Sequence, residues 1–341
     1  MATALFGPRD RPQLHALLLG LTLLTTATTF YWLFGEQAYP ELAARVEASA
    51  LFAVSLVLIL GAHEMGHYVL ARLHGVDTSL PYFIPVPLVG FGTLGAVIRI
   101  RGRIPHRDAL VDIGAAGPLA GLAVAVPLLF WGMGHSEVVD VAPAAGGGGV
   151  PTSTSLWAVG QQLWAAWAGA GVAGGVAGGV AGGAAGVGGS GGASEVALVF
   201  GDNLLMALAK WVTHGPLPEG KDVLAYHPTV VAAWVGMLVT MLNLLPIGQL
   251  DGGHLAFALW GERGARRVGQ AAALGLLGLC LLASAGWTVW LVVTAAVVGF
   301  RHPPVVAPAL PLGRARRWVC ALCLLALVLC LMPVPLREVV P

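Results

Sequence analysis

Runs of about twenty apolar residues recur along this chain, and almost no charge interrupts them. A hydrocarbon core about 30 Å thick is crossed by roughly 20 residues of helix, so each run is a candidate span. They fall at about residues 14–34, 48–73, 110–133, 228–246 and 318–334. Two shorter runs at about 268–285 and 287–300 read as a tight hairpin. Of 341 residues, 57% are hydrophobic and 10% charged, whereas a soluble domain carries about a quarter charged. The pattern predicts an all-α polytopic membrane protein with about 6–7 transmembrane helices. The first run is too long for a signal-peptide core, and no small-residue cleavage pattern follows it. A net charge of +1, with no basic patch interleaved with aromatics, points away from nucleic acid and leaves the lipid bilayer as the first partner.

Orientation follows from lysine and arginine. With the N-terminus in the cytoplasm, the cytoplasmic side receives 14 of the 18 positive residues, among them Arg72, Arg99, Arg101, Arg103, Arg107, Arg263, Arg316 and Arg317. Arg45, Lys210, Lys221 and Arg337 fall outside. The expectation is a multi-pass protein of a bacterial cytoplasmic membrane, with its N-terminus and active-site side cytoplasmic. Residues 169–193 are almost pure Gly, Ala and Val, which reads as a low-complexity linker or, alternatively, as a Gly/Ala-rich membrane pair. Residues 202–212 read as an amphipathic interfacial helix. The chain then divides into 1–47 (first span and flanks), 48–134 (core), 135–201 (Gly/Ala-rich insertion), 202–260 (interfacial helix and a further span) and 261–341 (C-terminal helices). Cys320 and Cys323 form a C-x-x-C among leucines, with no second pair to complete a metal site. They read as small apolar helix residues.

Chemistry enters at Gly61-Ala62-His63-Glu64-Met65-Gly66-His67. On a helix, residues four apart share a face, so His63 and His67 can offer imidazole nitrogens to one zinc ion. Glu64 lies beside that face and can take a proton from a water. The short pattern H-E-x-x-H is by itself only suggestive, so context must decide. Measured from Arg72 at 1.5 Å per residue, His67 lies roughly 8 Å and His63 roughly 14 Å inside the apolar span, where ionisable groups are costly without a function. A third ligand is needed. The fourth run ends in Asn243-Leu244-Leu245-Pro246-Ile247-Gly248-Gln249-Leu250-Asp251-Gly252-Gly253-His254 and reaches the same depth. Pro246, Gly248, Gly252 and Gly253 predict broken helix, tolerated at that depth where it lines a cavity. Asp251 is the favoured ligand by chemistry and His254 its rival. Asn243 can hold a substrate backbone or oxyanion, or simply cap a helix.

H-E-x-x-H on one span followed by N-x-x-P…L-D-G on a later one resembles the site-2 protease family of intramembrane zinc metalloproteases. The matching positions are His63, Glu64, His67, Asn243, Pro246, Leu250, Asp251 and Gly252. The resemblance implies zinc, one per chain, on His63, His67 and Asp251, with Glu64 catalytic and Asn243 in the active site. Phe91–Ala96, Ala116–Gly121 and Arg301–Pro304 look like a sub-branch containing plant chloroplast and bacterial members. The implied activity is hydrolysis of peptide bonds in transmembrane protein substrates within or near the membrane. The competing readings are a relative that grips membrane segments without cutting, and an ion or metal transporter.

Residues 81–103 hold too many breakers for a helix, and Ile98-Arg99-Ile100-Arg101 alternates like a half-exposed strand. They predict a short β-hairpin or re-entrant segment near the metal, or a basic loop on anionic lipid. Residues 135–226 show no strand pattern for a PDZ domain. Asp112 is expected either at the site or paired with Arg107. Gly117 and Gly121 form a G-x-x-x-G suited to close helix packing, and His227 reads as interfacial.

Overall fold

The computed structural model describes residues 11–35, 38–88, 90–140, 197–218, 221–223, 227–284, 286–294 and 311–339. The tract at 169–193 and Arg301–Pro304 lie outside them.

Among the described residues, every apolar run contains helix. Helix α1 spans Pro12–Phe30 and widens into a π turn at Tyr31–Gly35. Helix α2 spans Leu42–Leu73, with Arg72 in its last turn, where a cation complements the helix dipole. Helix α3 spans Arg107–Gly134; the His106 ring caps it by accepting from the Ala109 N–H. The amphipathic segment forms helix α4, Leu204–His214. The Asn203 side chain caps it, and it buries Leu205, Met206 and Ala209 while exposing Leu204, Leu208 and Trp211. Burial opposes the charge on Lys210 of α4, but Asp202 and Asp222, each 2.8 Å away, outweigh it and raise its pKa.

Helix α5, Pro228–Leu244, starts on a proline at its first turn and is buried along most of its length. It ends in a turn, after which helix α6 runs Asp251–Leu282, broken once at Gly261 with φ 67. Here the expectation of broken helix through Gly252 and Gly253 is corrected. The break is confined to the residues before Asp251, and both glycines are helical. A Cβ on Gly252 would overlap the Leu244 carbonyl, and one on Gly253 the Gly248 carbonyl. These glycines are therefore sites of close approach rather than helix breakers. The two runs expected to form a hairpin from residue 268 are the far part of α6 and, after a short turn, helix α7, Trp287–Val293. Helix α8 spans Arg314–Cys330. Among the described residues, four helical segments are long and apolar enough to cross a membrane: Pro12–Leu33, Leu42–Leu73, Arg107–Gly134 and Asp251–Leu282.

The strands are short and antiparallel. Strand β1 (Tyr82–Pro85) pairs with β2 (Thr93–Val97), aligning Tyr82 with Val97. The hairpin is held against α1, where Thr25 Oγ1 donates to the Gly92 carbonyl at 2.7 Å and the His15 ring meets the Pro81 carbonyl at 2.9 Å. The strand thus precedes the alternating stretch 98–103. That stretch makes one bridge, Ile100 to Thr78, because the Arg101 and Gly102 N–H groups both turn to the Asp77 carbonyl. Strands β3 (Val138–Asp140) and β5 (Lys221–Val223) pair, as do β4 (Ala197–Phe200) and β6 (Leu336–Val339).

Two apolar clusters hold the helices together. The larger joins Phe30 of α1, Phe52, Leu56 and Ile59 of α2, Ala125 and Leu129 of α3, and Val231, Trp234 and Met237 of α5. Phe30 and Phe52 stack at 4.7 Å. The second joins Leu110, Val111 and Ala115 of α3 to Leu244, to Leu255 and Phe257 of α6, and to Cys320 and Cys323 of α8. All four cysteines are free and buried, as the apolar reading of the C-x-x-C expects.

Candidate metal centre

His63 and His67 lie one helical turn apart on α2, both buried, and their Nε2 atoms are 3.2 Å apart. Asp251, the first residue of α6, brings Oδ2 to 3.4 Å from His63 Nε2 and 3.3 Å from His67 Nε2. Tetrahedral zinc with bonds of about 2.0–2.1 Å requires ligand atoms roughly 3.3 Å apart, and the three donors already stand at that spacing. Asp251 Oδ2 is buried without a hydrogen-bond partner, an orphan that a cation would satisfy. Among the described residues, this is the one group of three or more His, Cys, Asp or Glu side chains arranged to hold a metal ion. His254 is not part of it; its Cβ lies against Gly114 of α3.

The surroundings fix how the donors point. His67 Nδ1 donates to the Ile113 carbonyl at 2.7 Å, which leaves the Nε2 lone pair facing the cluster. Glu64 is buried beside the histidines, and the Ile98 backbone just beyond β2 lies near its carboxylate. The hairpin segment therefore reaches the acid next to the candidate metal centre. Asn243, near the end of α5, sets its amide Nδ2 3.4 Å from His63 Nε2. All five sequence-derived residues meet in one place, drawn from three helices.

The sequence reading missed what faces them. A Cβ on Gly117 would overlap the His67 ring, and one on Gly121 would come 3.3 Å from His63 Cβ. The G-x-x-x-G is thus the seat of the two imidazoles. Gly66, inside the H-E-x-x-H, lets α2 approach α3 until a Cβ there would overlap the Ala116 carbonyl. A signal was present, since both motifs carry a spacing of four and antiparallel neighbours match such spacings pair by pair. Asp112 is also corrected. It meets neither the site nor Arg107, but accepts from Arg316 (Nε 3.1 Å, Nη2 2.9 Å) and from His74 Nε2 (3.0 Å). Arg107 instead extends towards the Gly261 break. His227 pairs with Thr229 and packs near Trp131 and His135, away from the cluster.

Comparison with known proteins agrees with the geometry. The model of peptidase family M50 matches residues 51–284. The chain is 30% identical over 241 residues to "Probable zinc metalloprotease EGY2, chloroplastic" of Arabidopsis thaliana, covering 70% of this chain and 34% of that protein. An Oryza sativa subsp. indica protein of the same name is 30% identical over 66% of this chain and 31% of its own length. "Probable zinc metalloprotease EGY1, chloroplastic" of Arabidopsis thaliana is 25% identical over 85% of this chain and 44% of its own length. The chain thus spans about a third of the length of the EGY2 relatives it matches. No solved structure matches it significantly. The chain belongs to peptidase family M50.

Proposed function

We propose that this M50 member is an intramembrane zinc metalloprotease that hydrolyses peptide bonds of transmembrane protein substrates within or beside the bilayer. The observation that carries the reading is the convergence of His63, His67 and Asp251 at zinc-ligand spacing, with the Glu64 carboxylate beside them, inside apolar helices. One zinc per chain would be held by these three side chains. When bound it would supply Lewis acidity and lower the pKa of a water to about 7. Glu64 takes the proton of the attacking water on its carboxylate and delivers it to the leaving amine. Asn243 offers an amide donor at the rim for the backbone or carbonyl oxygen of an unwound substrate segment. The seats at Gly117 and Gly121 keep the imidazoles from swinging.

The same reading adds α5, α7 and α8 to the four long spans, giving about 6–7 crossings. The excess of arginine on one side supports a cytoplasmic N-terminus and active-site face in a bacterial cytoplasmic membrane. The division at residues 47, 134, 201 and 260 belongs to this reading too.

The test begins with zinc per chain in detergent-purified wild type, His67→Ala and Asp251→Ala. About one zinc in the wild type, lost or loosened in both variants, supports the centre. Glu64→Gln should then keep its zinc and lose cleavage of a membrane substrate. A folded wild type without zinc would sink the enzyme and leave a protein that binds membrane segments. Turnover by Glu64→Gln would remove the glutamate from its role.

A further inference from the structure

Helix α8 lies beyond residue 284, where the match to the family model stops, yet it is fastened to α3, which seats His63 and His67, and packs on α6, which carries Asp251. The Arg316 guanidinium forks onto both oxygens of Asp112, Nε to Oδ1 at 3.1 Å and Nη2 to Oδ2 at 2.9 Å. The Gly313 N–H at the start of α8 donates to Asp108 Oδ1 at 3.0 Å, one turn earlier on α3. Asp112 also accepts from His74, the residue that closes α2. Next to Asp112 in sequence is Ile113, whose carbonyl holds His67 Nδ1. One turn further lies Gly117, on which the same ring sits. One carboxylate therefore joins the end of α2, the stretch of α3 that orients His67, and the start of α8.

The other flank of α8 completes the span. Cys320 and Cys323 pack in one cluster with Leu110 and Val111 of α3 and with Leu255 and Phe257 of α6, within two turns of Asp251. The helix thus packs both on α3, whose Ile113 carbonyl orients His67, and on α6, which begins with Asp251.

The geometry points to Asp112 and Arg316 as positioning residues that brace the metal centre from outside the family-matched segment, with α8 as the strut. The inference rests on His63, His67 and Asp251 being a metal centre. Bidentate Arg–carboxylate geometry suits such a brace, because two parallel hydrogen bonds fix orientation as well as distance, which a lysine cannot do.

The experiment uses the full chain in detergent as wild type, Arg316→Ala, Arg316→Lys, Asp112→Asn and, as control, the exposed neighbour Arg317→Ala. Three quantities are read: zinc affinity against a chromophoric chelator, the visible spectrum of the cobalt(II)-loaded protein, and melting of the metal-free protein. Arg316→Ala and Asp112→Asn should weaken zinc about tenfold, as loss of outer partners of ligands does. They should also shift the cobalt bands while metal-free melting stays near wild type. Arg316→Lys should fall between, and Arg317→Ala should match wild type. Unchanged affinity and spectrum in Arg316→Ala and Asp112→Asn would overturn the brace while leaving the metal centre standing. A loss of affinity matched by an equal loss of metal-free stability would reduce the pair to a structural tie. A wild type that binds no zinc would remove the centre and this inference together.

Discussion

The interface between α2 and α3 has two halves built on opposite principles. In one half, Phe52, Leu56 and Ile59 of α2 share a cluster with Ala125 and Leu129 of α3, and the space is filled with side chain. In the other, Gly66, Gly117 and Gly121 empty it, and the room goes to backbone contact and two imidazoles. Lipid tails are as apolar as leucine, so neither half gains much by leaving lipid; both are held by packing. The contrast teaches that the filled half sets how firmly the helices hold. The emptied half sets where His63 and His67 point.

The sharpest way to break that contrast is Gly117→Ala. The added methyl has nowhere to go but the His67 ring, so zinc should weaken about a hundredfold or more, at the strong end of what disturbed ligand support costs. The helical circular dichroism should persist. Full zinc binding by this variant would show that the glycine is ordinary helix packing. Leu129→Ala probes the other half. It should cost about 2 kcal/mol of stability in a thermal or denaturant titration, the low end for a large-to-small change because water transfer contributes little here. Its zinc should stay at one per chain, and a loss of metal would merge the two halves into one. The smallest effect belongs to Gly121→Ala, whose methyl meets His63 Cβ at 3.3 Å and requires a shift of a few tenths of an ångström. We expect about tenfold weaker zinc, or 1.4 kcal/mol, near the lower bound for overpacking. A loss as deep as that of Gly117→Ala would mean that the α2–α3 spacing is rigid at both glycines.

The legible part of the site is the part written in short spacings. His63, Glu64 and His67 declare themselves because a helix converts i and i+4 into one face, and the apolar run around them makes their polarity costly. Chemistry alone favoured Asp251 over His254 only narrowly. Both can bind zinc, and the choice depends on where α6 begins. Residue 251 starts the helix because Gly252 can lie against the Leu244 carbonyl, a contact made by the turn after α5. The strand at Thr93–Val97 was placed too late by alternation, because Asp77 claims the amides of Arg101 and Gly102. The partner of Asp112 lies 204 residues away on α8, a distance across which no periodicity carries information. Spans were legible because length and hydropathy are local; contacts between spans were not.

A helix as buried as α5 imposes an order on synthesis. The chain makes α2 and α3 first, so His63, Glu64 and His67 enter the apolar phase before Asp251 exists. Helix α5 arrives later and exchanges lipid neighbours for the flanks of α2 and α3; α6 follows with Asp251, and α8 is made after both. A nascent chain halted before residue 251 would hold a metal with two donors at best. The three-donor set is thus complete only once Asp251 has joined the two histidines of α2.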